Sequence, residues 1–586
     1  MTVQNVLTML MGLVLFLFGM NLMGEALEKR AGNKLKDILA TLTSSKIKGF
    51  ILGLVVTCVI QSSSATTVMV VGFVNSGIMT LGQAIPVIMG ANIGTTITSW
   101  ILSLSGLSGS AWYITMFKPA TFVPILAVIG IVCFMFLKKA KYKDVGLILI
   151  GFSTLMFGME TMSGAVKVLK DVPEFASLLT KFENPILGVI AGAVITGIIQ
   201  SSSASVGILQ ALAGATGAVT IGATVPIIMG QNIGTCVTAM ISSVGANKNA
   251  KRTAAVHLYF NIIGTVVSLT IYSIVTSFIH IPVLSQSADQ FSIAVVHTAF
   301  NVICTLILFP FASQLEKLAV KTVGNKKGEV DKTIMLDERL IATPAIAIAR
   351  CKEVVNDMSK LSVDALGKTF DMFGSFSEKT YDEIQRLEDE VDKYEDTVGT
   401  YLVKLSASNL TPENSREVTK LLHTIGDLER LSDHAVNIAK SLQEMSDKKL
   451  RFSEKANKEI ATMIEAVREI TYLAHNCFVD SNLKTAYLVE PLEQVIDYLK
   501  AEIKKGHIQR LQKEECTIEM GFVLSDLITN LERVSDHCSN IAGCVIELTK
   551  DELSLHEYYH EIKDGDDFRT EYFNKKYNMY MEKYAI

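Results

Sequence analysis

The chain has 586 residues, 49% of them hydrophobic and only 19% charged, which is too apolar for an ordinary soluble multidomain enzyme. Its net charge of −5 conceals two unlike parts: residues 1–320 carry 18 Lys+Arg against 10 Asp+Glu, and the remainder carries 36 against 49. An acidic second part argues against a nucleic-acid partner, which needs clustered cations. The nine scattered cysteines form no CxxC pair or zinc spacing and read as small core side chains in a reducing compartment.

The first element is an apolar run from Val6 to Met23, with no basic residue before it and Lys29 and Arg30 after it. That order predicts a retained transmembrane helix with its N-terminus outside, not a cleaved signal peptide. A spanning helix needs about 20 apolar residues, and runs of that kind fall at 3–27, 84–104, 112–137, 145–168, 222–244, 253–279 and 291–315. Between them lie two apolar stretches, 47–78 and 186–216, each interrupted by Gly and Ser and each with Gln-Ser-Ser-Ser at its middle. Each half of such a stretch is too short to cross, so each stretch is expected to be a re-entrant hairpin or broken helix.

These pieces repeat. FGMNLMGEA at 18–26 returns as FGMETMSGA at 157–165, QSSSATT at 61–67 as QSSSASV at 200–206, and PVIMGANIGTT at 86–96 as PIIMGQNIGTC at 226–236. The offsets are 139, 139 and 140 residues, so the apolar part is a duplicated unit. Positive charge collects in 28–48, 138–143 and 248–252, whereas 105–111 is uncharged and 280–290 has no Lys or Arg. With the charged segments cytoplasmic, the positive-inside rule is met, each repeat crosses an odd number of times, and the second repeat is inverted. Inverted repeats with broken helices are the architecture of secondary transporters.

After Phe311 the apolar character ends, and 321–340 reads as a linker. From 341 to 550 the pattern is long amphipathic helices. IGDLERLSDHAVNIA at 425–439 returns as ITNLERVSDHCSNIA at 528–542, and LEDEVDKY at 387–394 has a weaker echo in LEQVIDYL at 492–499. Two related helical bundles follow, and the tail from 551 to 586 carries no clear structural signal. The fold expected is all-α: transmembrane repeat 1 over 1–140, repeat 2 with a last helix over 141–320, and cytoplasmic helical bundles.

Chemistry concentrates at the two breaks. Gln61, Ser62, Ser63, Ser64 and Thr66, with Gln200, Ser201, Ser202 and Ser203, put amides and hydroxyls where unwound backbone would otherwise be unsatisfied in lipid. Neutral oxygens suit Na⁺, and a half-helix N-terminus suits an oxyanion; the plainer reading is polar glue between helices. Asn92, Thr95 and Thr96, with Asn232, Thr235 and Thr238, are expected on the opposing wall of the same site, tight helix packing being the alternative. Pro86 and Pro226 are expected to interrupt or cap their helices. No Lys or Arg lies near either motif, so an anion would be held by N–H groups, hydroxyls and co-bound cations. Glu160, where the first repeat has Asn21, is a candidate for holding a cation, against helix-end solvation or a packing hydrogen bond. His257/Asn261 and His297/Asn301, one turn apart on two helices, read as interhelical hydrogen bonds or a subunit contact. In the bundles, Glu429/Asp433 and Glu532/Asp536 stand at i, i+4 and are candidate metal ligands, with Glu388/Asp392 and Glu493/Asp497 repeating the spacing.

QSSSATT and QSSSAS with GANIGTT and GQNIGTC resemble the type II sodium/phosphate cotransporter family, and the two LER-x-SDH-x-x-NIA blocks resemble PhoU-type phosphate-regulatory domains. The resemblance covers nearly the whole chain apart from linker and tail. It implies a bacterial source, Na⁺-coupled movement of inorganic phosphate through a multi-pass plasma-membrane protein, inverted repeats meeting at the two QSSS elements, and a homodimer. It implies phosphate and Na⁺ ligands at Gln61 to Ser64, Gln200 to Ser203 and the Asn and Thr of the NIGT blocks. It also implies a metal cluster at the paired carboxylates. Ala65 and Ala204 follow QSSS where animal members often have hydroxyl residues, which leaves the number of Na⁺ sites open. The function expected is sodium-dependent phosphate symport with a regulatory PhoU-like part. A membrane-anchored phosphate or metal sensor and a phosphate exporter are the alternatives. No nucleophile–base pair, Walker loop or zinc motif speaks for an enzyme.

Overall fold

The computed structural model describes residues 2–42, 45–106, 116, 118–172, 184–324, 336–408, 410–550 and 568–586. Residues 107–111 of the uncharged segment, part of 167–183, most of the linker and the first half of the tail lie outside the described residues. The chain divides into two units, Met1–Ala345 and Ile346–Ile586. Among the described residues both are helical throughout, with a single isolated bridge between Thr220 and Ser287.

In the first unit, α1 (Val3–Leu42) leads into a hairpin of α2 (Lys46–Ile60) and α3 (Ser63–Asn75). Then come α4 (Leu81–Gly94) and α5 (Thr96–Ser103), α6 (Pro119–Phe136) and α7 (Ala140–Val166). The second hairpin is α8 (Pro185–Ile199) and α9 (Ser202–Thr216), followed by α10 (Ile221–Ser242), α11 (Lys248–Phe278), α12 (Gln290–Leu308) and α13 (Ala312–Val323). Among the described residues, seven stretches are long and apolar enough to span a membrane: Val3–Leu27, Leu81–Gly106, Pro119–Phe136, Lys141–Lys170, Ile221–Ser242, Lys248–Phe278 and Gln290–Val323. They match the seven spans expected from sequence. Only 6% of the Pro119–Phe136 window is buried, and Val128, Met135 and Phe136 stand more than 60% exposed. Such an apolar face is untenable in water and ordinary in lipid.

The hairpin arms have 15, 13, 15 and 15 residues. At ~1.5 Å per residue none reaches the ~30 Å of a bilayer core. The first arm of each hairpin packs closely on the helix that follows that hairpin, because glycine lets backbones touch. A methyl at Gly90 would overlap the Phe50 carbonyl, and one at Gly230 the Val189 carbonyl, at matching places in the two repeats. Of the two expected roles, interrupting or capping, the structure excludes the cap: Pro86 and Pro226 lie inside α4 and α10. A helical proline cannot donate to the carbonyl four residues back, and at Gly222 that carbonyl instead accepts from the Tyr272 hydroxyl at 3.2 Å.

The second unit contains α14 (Pro344–Asp371, entering from the first), α15 (Glu378–Ser406) and α16 (Pro412–Asp447). It continues with α17 (Glu454–Val479), α18 (Val489–Gln512), α19 (Ile518–Lys550) and α20 (Phe568–Lys583). The tail, which gave no signal in sequence, thus contributes a helix, tied back where Lys583 pairs with Glu469 at 2.7 Å. The two bundles meet through equivalent residues. Nδ1 of His434 is 2.8 Å from Asn530 Oδ1, and Nδ1 of His537 is 2.9 Å from Asp427 Oδ1. The two imidazoles face each other with centroids 5.6 Å apart. This reciprocity is the pseudo-twofold of the sequence repeat.

Candidate functional site

Each Gln-Ser-Ser-Ser element is the break between two helices. Gln61 and Gln200 end α2 and α8 in left-handed backbone, φ 61° and 59°, a conformation that costs a non-glycine residue about 1–2 kcal/mol. Ser62 and Ser201 then cap α3 and α9, their hydroxyls accepting from the amides of Ala65 at 3.1 Å and Ala204 at 3.2 Å. Local sequence dictates the break, because Ser at the N-cap competes with helix continuation.

The fold brings the two breaks together. Ser64 Oγ donates to the Gln200 carbonyl at 3.4 Å, across 136 residues. Between them lies a cavity of about 150 Å³ lined by Gln61–Ala65, Ser201–Ser203, Ile60 and, from α1, Met20, Asn21, Gly24 and Glu25. That is about ten times what one water requires. Beyond the capped amides of Ala65 and Ala204, the first turns of α3 and α9 present the amides of Ser63, Ser64, Ser202 and Ser203 at the positive end of the dipole, which favours an oxyanion. The carboxyl ends of α2 and α8 favour a cation. Among the described residues no Lys or Arg lines the cavity.

Other residues singled out in the sequence lie elsewhere. Gln200, Thr66, the NIGT residues and Glu160 are not among those lining the cavity. Thr66 ties the hairpin, accepting from the Thr57 hydroxyl at 3.1 Å and donating to the Ser62 carbonyl at 3.0 Å. Thr95, Thr96, Asn232 and Thr235 are buried, and each donates to a carbonyl of its own or the preceding turn at 2.8–3.0 Å. Asn92 Nδ2 is buried and has no partner among the described residues. The NIGT glycines pack on the hairpins: a methyl at Gly94 would stand 2.7 Å from Thr57 Cβ, and one at Gly234 the same distance from Thr196 Cβ. Glu160 and Glu25 are both exposed, and what separates them is that Glu25 lines the cavity, its Oε1 accepting from Asn21 Nδ2 at 2.6 Å. Sequence reasoning passed over Glu25 because it ends an apolar run beside other charges. His297 Nδ1 is 2.7 Å from Ser99 Oγ, and Asn261 Nδ2 donates to Cys236 Sγ at 3.3 Å, so the His/Asn helices do make interhelical hydrogen bonds.

The two halves are not in the same state. In the first repeat Thr98 Oγ1 donates to Gln61 Oε1 at 3.0 Å, and Gln61 Nε2 donates to the Cys58 carbonyl. At the equivalent places in the second repeat, the Thr238, Thr196 and Ser205 hydroxyls have no partner among the described residues, and Gln200 is exposed.

In the second unit, Glu493, Asp497 and Asp536 offer carboxylate oxygens all within 4.8 Å of one another. Burial and then repulsion from Glu490 and Asp497 push the Glu493 carboxyl up to about 8. Burial followed by Glu532 pushes Asp536 up to about 6. In the first bundle, burial and then Asp433 push Glu429 up to about 7. Carboxyls crowded until they hold their protons are a donor set suited to a hard cation. The set differs from the spacing argument in one respect: Glu532 is paired with Lys500 at 2.9 Å, while Glu493 and Asp497 from α18 join Asp536. Arg430 bridges Glu429 at 3.4 Å and Asp433 at 3.1 Å.

The profile of the Na+/Pi-cotransporter family matches residues 15–164 and 167–300, and that of the PhoU domain matches 355–442 and 460–545. The chain is 24% identical over 574 residues to "Putative inorganic phosphate export protein YjbB" of Escherichia coli (strain K12), covering 94% of this chain and 100% of that one. It is 37% identical over 105 residues to sodium-dependent phosphate transport protein 2A of Ovis aries, 18% of this chain and 16% of the relative. A crystal structure of the phosphate transport system regulatory protein PhoU from Streptococcus pneumoniae superposes with a TM-score of 0.33 at 18% identity, over 36% of this chain and 99% of that one.

Proposed function

The chain belongs to the Na+/Pi-cotransporter family, with PhoU domains in its second part, and from that premise we propose that it carries inorganic phosphate across the membrane coupled to Na⁺. One observation carries the reading: two helix N-termini, one from each repeat, face one cavity that, among the described residues, no Lys or Arg lines. Phosphate is held there by first-turn amides and the hydroxyls of Ser62–Ser64 and Ser201–Ser203, and Na⁺ supplies the positive charge that the protein does not. A second reading, net export, is favoured by the export activity in the name of the YjbB relative, which spans 94% of this chain. Direction then follows from the gradients and not from the site.

The protein acts as a carrier rather than an enzyme, in a bacterial plasma membrane, with its N-terminus outside, the PhoU domains in the cytoplasm, and a homodimeric state. The PhoU carboxylates Glu493, Asp497 and Asp536, and by the repeat Glu388, Asp392 and Asp433 with Glu429 beside them, hold a divalent or trivalent cation that tunes transport. A decisive experiment is radiolabelled phosphate flux in proteoliposomes under imposed Na⁺ gradients, in both orientations. Flux should need Na⁺ and vanish in Gln61→Ala and Gln200→Ala. Equal flux with choline in place of Na⁺ would refute the coupling.

A further inference from the structure

We propose that Glu25 is the coupling carboxylate of the cavity, the side chain that makes phosphate binding depend on a co-bound cation; the inference rests on the cavity being the phosphate site.

Among the described residues that line the cavity, Glu25 is the one ionisable side chain. It reaches the cavity from α1, one turn after Asn21, whose amide donates to Oε1 at 2.6 Å and so fixes the carboxylate's orientation. Among the described residues no Lys or Arg pairs with it. The α2 carboxyl end is close by: a methyl at Gly24 would stand 3.1 Å from the Ile60 carbonyl oxygen, and Ile60 lines the same cavity. A carboxylate beside helix-end carbonyls is a donor set for a cation, not for an anion.

The repeat argues that this charge is not there for folding. At the place equivalent to Glu25 the second repeat has Gly164, with nothing within 4 Å of where a Cβ would stand. The same structural role on α7 is thus filled with no side chain at all. The serines are duplicated and the carboxylate is not, so its function is one the cavity needs only once.

The physical consequence has a definite sign. With the cation absent, Glu25 and phosphate are like charges in one cavity of about 150 Å³, and each disfavours the other. With a cation on Glu25 and the Ile60 end, the cavity presents positive charge to the anion and the repulsion becomes attraction. One residue therefore both obstructs phosphate on its own and rewards phosphate with cation, which is a coupling free energy between two ligands.

The test is equilibrium binding of radiolabelled phosphate to the purified full-length protein over a range of Na⁺ concentrations. In Glu25→Gln, phosphate should bind without Na⁺ roughly ten-fold more tightly than it does to the unaltered protein, and affinity should climb less steeply with Na⁺. Glu25→Asp, which keeps the charge, should keep the steep dependence. Acidification that replaces Na⁺ in the unaltered protein, but not in Glu25→Gln, would support the same residue with a proton as the cation. Unchanged affinity and slope in Glu25→Gln would overturn the proposal, as would binding weakened equally at every Na⁺ concentration. If the unaltered protein binds no phosphate at any Na⁺ concentration, the reading of the cavity itself fails, and this inference with it.

Discussion

The Thr98 hydroxyl donates to Oε1 of Gln61 at 3.0 Å and so fixes the amide at the break of the first hairpin. Its repeat mate, the Thr238 hydroxyl, has no partner among the described residues, and Gln200 stands exposed. One half of the site is latched and the other is not. Thr98→Val keeps the shape and removes the donor. It should weaken phosphate binding by about 1–2 kcal/mol, roughly five- to thirty-fold. Thr238→Val should cost less in any state where Thr238 stays unengaged. Equal losses from both, measured as phosphate Kd at saturating Na⁺, would mean that both latches close on binding.

Helix contact through glycine predicts where a methyl group is intolerable. At Gly90 a Cβ would overlap the Phe50 carbonyl, which is backbone and cannot swing away. Gly90→Ala should lower stability in detergent by ~1–3 kcal/mol or abolish insertion. Gly164→Ala, with open space at the same atom, should be neutral or slightly stabilising, because Ala favours helix. The check is the Tm of the two purified variants against the unaltered protein.

The crowded carboxylates give the PhoU part a pH dependence of definite sign. Glu493 is raised from an ordinary 4.5 to about 8, Glu429 from 4.5 to about 7, and Asp536 from 3.8 to about 6. A carboxyl raised on folding binds its proton more tightly in the folded state. Its contribution is therefore fully present below about pH 4 and lost as pH rises through about 6 to 8. The Tm of the isolated 346–586 unit should fall across that window, and Glu493→Gln should flatten the fall. A bound divalent or trivalent cation should reverse it at the alkaline end, and replacing Glu493, Asp497 and Asp536 by amides should remove that reversal. A Tm that rises through the window without metal would contradict the crowding.

The inverted arrangement is testable by labelling in a background lacking the nine native cysteines. A single cysteine at His280, in the segment without Lys or Arg, should react with an impermeant thiol reagent from outside. One at Lys141, where Arg30 donates to its carbonyl at 3.3 Å, should react only from inside. Reaction from the same side for both would end the inverted-repeat topology.

Much of this protein is legible in one dimension. The 139-residue offset, the seven apolar spans and the breaks at Gln61 and Gln200 are all local or periodic features. They follow from how far a helix must run to cross lipid and from which residues cap it. Periodicity assigns each helix an inner face, but not the neighbour that face will meet. Only the packed chain decides that Asn21 and Glu25, and not Glu160, reach the cavity, because this depends on the rotation of α1 against two hairpins far away in sequence. Likewise, i, i+4 spacing put Glu532 beside Asp536. The docking of α18 on α19 instead engages Glu532 with Lys500 and completes the carboxylate group with Glu493 and Asp497. Side-chain spacing along a helix is set by its own backbone, whereas the set of groups that converge on one point is set by contacts between helices.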